Sequence, residues 1–152
     1  MRAECCGTRT APASTRPAKP IEIELPGLRL QSENWWRRAH SGWVLKRQRD
    51  REKNAVRFAF LAARAAVNSA SVPPFLVTLT RRSPSTRGLD SDGLQGAFKY
   101  VRDEICRCLS VDDGDLERVA FVYRQERGPW GAHCRVEGRL PVRVVPCYEP
   151  PR

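Results

Sequence analysis

Apolar and polar positions first alternate at Ile21-Glu22-Ile23-Glu24-Leu25, the two-residue period of a strand with one buried face. Pro26-Gly27 interrupts that strand, and Leu28-Arg29-Leu30 can resume it. The period then lengthens. Over Leu45–Val67 a helix is predicted, with Val56, Phe60, Ala63 and Val67 on one stripe and Phe58, Leu61 and Ala65 widening it. A second strand is expected over Val72–Thr80, with Phe75 to Thr80 as its body, and Arg81–Leu89 follows as a loop rich in hydroxyls. The clearest helix is predicted over Asp92–Leu109, where Leu94, Phe98, Val101, Ile105 and Cys108 keep the helical period. After a turn at Val111–Asp115, Leu116–Gln125 reads as a strand with Val119, Phe121 and Tyr123 on one face. Two short strands are expected near Ala132–Glu137 and Leu140–Pro146, and the terminal strands are expected to pair as a meander. The pattern predicts an α+β fold, a mixed β-sheet with two long helices on one face, in a single domain. Residues 1–20 carry Pro12, Pro17 and Pro20 among Ala, Ser, Thr and Arg without any period, and are expected to be a disordered tail before a domain at 21–152.

A length of 152 residues suits one domain, and an apolar share of 41% is enough for a genuine core. No apolar stretch reaches the length of a membrane span, so no membrane partner is expected. Arg2 is not followed by an apolar run, so the start does not read as a signal peptide, and a reducing cytoplasm is the expected location. Charge adds a positive clue. With 27 Lys plus Arg against 17 Asp plus Glu the chain is +10, which favours polyanionic partners such as nucleic acid. The excess is uneven: Arg29–Arg57 holds nine basic and three acidic residues, whereas Ser85–Glu117 holds four basic and eight acidic. The six cysteines do not account for the acidic island. Cys5 and Cys6 are adjacent, Cys106 and Cys108 point different ways on a helix, and Cys134 and Cys147 stand singly. No His/Cys pair has the spacing of a structural zinc site, so free thiols are expected, with neither disulfide nor zinc.

Asp90 and Asp92 flank the start of the predicted long helix, and Asp112, Asp113 and Asp115 follow its far end. Two uses fit them. Asp92 can cap the helix and Asp112–Asp115 can form a turn, both ordinary roles for Asp. If the clusters converge, they make an oxygen-rich site for Mg²⁺, which joins carboxylates to phosphates and activates water. A straight helix of about 17 residues keeps its ends roughly 25 Å apart, so convergence needs the chain to turn back. The Asp112–Asp115 run lacks the alternating ligands and closing Glu of an EF-hand. Lys99 shares a helix stripe with Asp92, Gly96 and Asp103, where it can pin a phosphate or simply pair with Asp103.

The run from Ser32 to Lys53 mixes aromatics and bases. Trp35, Trp36 and Trp43 can stack on unpaired bases while Arg37, Arg38, Lys46, Arg47, Arg49, Arg51 and Lys53 meet phosphates. At least one of the tryptophans is expected to close the core instead.

The order of these parts resembles a family. An N-terminal strand, an Asn-x-x-Trp/basic segment, a helix and a strand precede Leu89-Asp90-Ser91-Asp92-Gly93-Leu94; an amphipathic helix, Val111-Asp112-Asp113-Gly114-Asp115 and a strand follow. Over Ile21–Gln125 this is similar to the RusA-type crossover junction endodeoxyribonucleases, especially divergent phage and prophage members. The resemblance implies a Mg²⁺-dependent homodimer, with Mn²⁺ as a substitute metal, that cuts four-way DNA junctions in a bacterial host cytoplasm. It implies that Asp90, Asp92 and Asp113, with neighbouring Asp112, converge on the metal and that Lys99 in Phe98-Lys99-Tyr100-Val101-Arg102-Asp103 serves catalysis. Gly93 stands where the family has Asn, and Gly96 where its Lys often lies. The alternative is a protein of the same fold that binds junctions, or assists others, without cutting.

Overall fold

A computed structural model describes residues 19–39, 41–67 and 73–138 of the chain. The first strand, β1, covers Ile21–Pro26, with Ile21, Ile23 and Leu25 buried and Glu22 and Glu24 exposed, as the alternation requires. Gly27 turns the chain out of it at φ +72°, a conformation that costs a glycine little, and its N–H donates to the Trp130 carbonyl at 2.7 Å. Leu28 and Leu30 are buried but do not resume the strand. A short helix that the pattern does not predict, α1, spans Glu33–Ala39, and α2 follows over Gly42–Val67.

Val56 and Phe60 of α2 are fully buried and Ala59 and Ala63 pack against the core beside them. Phe58 and Leu61, expected to widen this stripe, instead face solvent at 71% and 55% exposure, and Ala65 is exposed as well. Glu52 lies one turn before Val56 and is buried with it. The buried face is therefore narrower than the apolar one, and it includes a carboxylate.

Strand β2, Phe75–Ser83, begins later and runs further than expected; β3 spans Val119–Arg127 and β4 spans Gly131–Gly138. The expected strand at Leu140–Pro146 and all but the last two residues of the expected tail over residues 1–20 lie outside the described residues. The sheet order is β1-β4-β2-β3, with β2 and β3 parallel and β4 antiparallel to both β1 and β2. Consecutive β3 and β4 do not pair, so no meander joins these two, and the pairing expected of Leu140–Pro146 lies outside the described residues. β4 inserts between β1 and β2, where Ala132, Cys134 and Val136 become fully buried among strands on either side.

The crossover from β2 to β3 carries the second helical layer. It is two helices rather than one: α3 over Ser91–Ala97 and α4 over Lys99–Leu109. Between them Phe98 sits at φ −90°, ψ 0°, fully buried, and its N–H is shared by the Leu94 and Gln95 carbonyls, each at 3.2 Å. A one-residue tightening of this sort leaves the apolar period almost unchanged, so the sequence pattern does not register it. The α4 helix ends at Ser110 in the left-handed conformation. A buried Glu104 on α4 accepts from Arg57 Nε of α2 at 2.8 Å, tying the two longer helices together.

The architecture is a single α+β domain in which the longer helices cover one face of a mixed sheet. The other face is charged and self-paired. Glu22 lies opposite Arg135 at 3.4 Å, and Arg82 joins Glu24 at 2.8 Å.

Candidate active site

The loop from β2 to α3 brings the first two candidate carboxylates to the surface. Asp90, rather than Asp92, is the N-cap of α3: its Oδ1 accepts the Gly93 N–H at 2.8 Å. A Cβ at position 93 would lie 2.5 Å from that same oxygen, so glycine lets the carboxylate fold this closely over the helix start. Asp92 is exposed in the first turn, with Ser91 Oγ 3.4 Å from its Oδ1. Both carboxylates line an open cavity of about 390 Å³ whose far wall is Ser32 and Asn34, at the start of α1. Gly93 and Gly96 complete it.

The loop is fixed from behind. Gln125 on β3 donates from Nε2 to the Leu89 carbonyl at 2.7 Å and accepts the Leu89 N–H at 2.9 Å. Gly88 makes room, because a Cβ there would come within 2.9 Å of the Gln125 amide.

The later acidic residues form a separate group. Asp112 Oδ1 accepts the Gly114 N–H at 2.8 Å, closing a tight turn. Asp113 makes a 2.9 Å ion pair with Arg102 of α4, whose Nη1 also lies 3.5 Å from the Tyr123 hydroxyl. Burial, and then the like charge of Asp113, push the Asp103 carboxyl above its ordinary value, against the pull of Arg102, Lys53 and Lys99. Lys99 is exposed at the start of α4, its ammonium 5.9 Å from the Tyr100 ring centre. Among the described residues no three His, Cys, Asp or Glu side chains gather into a group that could hold a metal ion. Asp90, Asp92 and Asp113 are thus not brought together at the one metal position expected of them. Asp90 is occupied at the α3 cap, and Asp113 is held by a cation on α4.

What Asp90 and Asp92 offer a metal is a partial shell. Mg²⁺ needs no full protein cage, binding through one or two carboxylates with waters and phosphates filling the rest. The exposed Asp92 carboxylate and the free oxygen of Asp90 fit that requirement; Asp113 fits it only after parting from Arg102.

The basic segment is where the sequence expects it. Arg37 and Arg38 are exposed at the end of α1, and Lys46, Arg47 and Arg51 are exposed along the first turns of α2. Trp43 is 65% exposed, with the Arg47 guanidinium 4.8 Å from its ring centre. Trp35 is exposed too, so neither Trp35 nor Trp43 closes the core, and the Trp36 side chain lies outside the described residues. Since α1 packs against α3, this surface continues from the cavity holding Asp90 and Asp92.

Glu52 belongs to none of the sequence motifs. Burial pushes its carboxyl up to about 7, against the Gln48 hydrogen bond and the Arg49 charge. It lies behind the carboxylate cavity, lining with Gly96 a small void between α2 and α3. Its signal was a glutamate in register with Val56 and Phe60. The described thiols are poor nucleophiles, with burial pushing Cys106 up to about 11 and Cys134 up to about 12. Cys5, Cys6 and Cys147 lie outside the described residues.

No protein-family model matches this chain, and no curated protein matches it.

Proposed function

We propose that the chain is a Mg²⁺-dependent endonuclease that acts on branched DNA. One observation carries the reading: two exposed carboxylates, Asp90 and Asp92, share an open cavity with Asn34 and adjoin a surface of exposed arginines and a stacking-competent Trp43. Carboxylates facing a polyanion repel it unless a cation intervenes. A bound Mg²⁺ would supply charge neutralisation at a phosphodiester and an activated water. Asp90 and Asp92 would hold it, and Arg37, Arg38, Lys46, Arg47 and Arg51 would hold the neighbouring phosphates. The resemblance to RusA-type junction endonucleases adds the substrate geometry, a four-way junction met by two copies of the chain in a bacterial cytoplasm. Phe58 and Leu61, exposed on α2, supply apolar surface for a second copy.

A second reading is a junction binder that does not cut, and the Arg102–Asp113 ion pair favours it, because it withholds the third carboxylate. Asp92→Asn separates the two. Wild type should cut an immobile four-way junction with Mg²⁺ and spare a matched linear duplex. The variant should stay folded, bind the junction, and cut at least about tenfold more slowly, equal to about 1.4 kcal/mol of transition-state stabilisation. Equal cutting by both proteins would remove Asp92 from the site. Junction binding with no scission by wild type in Mg²⁺ or Mn²⁺ would establish the binder.

A further inference from the structure

At the carboxyl ends of the two parallel strands, β2 and β3, lies a second cavity, of about 220 Å³, lined by Arg81, Ser83, Ser85, Thr86 and Gln125 among others. The carboxyl end of a parallel pair is where open α/β sheets commonly receive ligands. Arg81 is what sets this cavity apart. It is only 3% exposed, yet no carboxylate pairs with it among the described residues. Its Nε donates to the Leu30 carbonyl at 2.8 Å, and its guanidinium lies 5.4 Å from the Trp130 ring centre. Neither contact neutralises a charge, and the two terminal nitrogens have no protein acceptor among the described residues. The stem of Arg81 is buried while its terminal nitrogens keep an edge open to solvent, and burial pushes the guanidinium below its ordinary value.

The remaining walls suit an oxyanion. Ser83 is buried, and its Oγ accepts the Ser85 N–H at 3.2 Å, which leaves its own proton to donate elsewhere. Arg127 pairs with Ser83 across the strand ends and also lines the cavity. The acid on the wall, Glu126, is already 3.6 Å from Arg82 Nε.

We propose that this cavity is a phosphate-binding site, with the Arg81 guanidinium and the Ser83 hydroxyl as its donors. A planar guanidinium fits phosphate oxygens two at a time. The phosphate has two possible sources, a free inorganic ion or the backbone of a nucleic-acid strand. Gly88 and Gln125 line the cavity and also fix the loop that carries Asp90, so a strand phosphate seated here would lie just before the candidate carboxylates. Phosphate binding does not rest on the cleavage reading. Scission tests Asp92, whereas occupancy of this cavity tests Arg81.

The test is calorimetric titration of the whole chain with inorganic phosphate at millimolar concentrations, and separately with a short single-stranded oligodeoxynucleotide without divalent metal. Arg81→Met and Thr86→Asp are compared with wild type. Thr86 is exposed at the cavity wall, so its variant keeps the fold and places a negative charge in the anion's way even if Arg81→Met unfolds. Phosphate affinity should fall at least about tenfold in each folded variant, through one lost charge-assisted bond in Arg81→Met and through like-charge repulsion in Thr86→Asp. If oligonucleotide affinity falls equally, the source is a nucleic-acid strand; if it is unchanged, the source is free phosphate. An oligonucleotide loss with no inorganic phosphate binding also supports the site, with strand phosphate alone as its ligand. No phosphate binding by wild type together with unchanged oligonucleotide affinity in the variants would overturn it, leaving Arg81 a structural donor to Leu30.

Discussion

The Gln125 side chain closes a two-bond ring on the backbone of Leu89, with its Nε2 2.7 Å from the Leu89 carbonyl and its Oε1 2.9 Å from the Leu89 nitrogen. An amide on an edge strand thus copies a strand neighbour and fixes the residue just before Asp90. Gln125→Ala should cost only about 1 kcal/mol of stability, since both bonds are exposed to water. Its local effect should be larger. Hydrogen exchange at the Leu89 amide should accelerate while that of buried β2 amides stays the same. Unchanged protection at Leu89 would mean that the loop is held by something else.

Phe58 and Phe60 sit two residues apart on α2 with opposite fates, 71% exposed and fully buried. Phe60→Ala should cost about 3–5 kcal/mol in urea unfolding, the range for a large core truncation. Phe58→Ala should stay within about 0.5 kcal/mol for a single chain in dilute solution. If sedimentation shows a dimer, Phe58→Glu should weaken it. A dimer indifferent to Phe58→Glu would place its interface away from this face of α2.

Glu52 makes stability depend on pH in a definite direction. Folded, it keeps its proton up to about pH 7; its ordinary value is 4.5. Between those values the native state holds a proton that the unfolded state has released, so the Glu52 contribution is complete below 4.5 and is lost as pH rises through 7. The full loss is about 3 kcal/mol. Glu52→Gln should remove that slope, so the stability difference between variant and wild type should grow in the variant's favour from pH 5 to pH 8. A difference that stays flat over this range would show that Glu52 is ionised in the fold.

Ser110 ends α4 at φ 56°, ψ 42°, with its N–H near the Arg107 and Cys106 carbonyls. A side chain at this conformation is strained, and glycine is not. Ser110→Gly should raise stability by about 0.5–1 kcal/mol, less than the full strain because glycine also gains freedom when unfolded. A lower unfolding midpoint would mean that the Ser110 hydroxyl contributes more than its backbone loses.

By itself the sequence determined which segments become strands and helices wherever one face is buried. Ile21 to Leu25, Val56 with Phe60, and Leu94 to Ile105 each announce their period because water exclusion acts on alternate or every third and fourth position. It also placed the basic surface, since most charged side chains are least costly where water reaches them. Tertiary structure decided what periodicity does not encode. Whether Phe58 and Leu61 are covered depends on whether anything packs on the side of α2 turned away from Val56 and Phe60, not on their own hydrophobicity. The insertion of β4 between β1 and β2 depends on long-range pairing, to which a local pattern is blind. The partners of Asp90 and Asp113 depend on a helix cap and on Arg102, contacts set by a tightened turn at Phe98 and by the path back to β3. Arg81 shows the same division: its charge is plain in the sequence, but its burial without a counter-charge arises only where β2 and β3 end side by side.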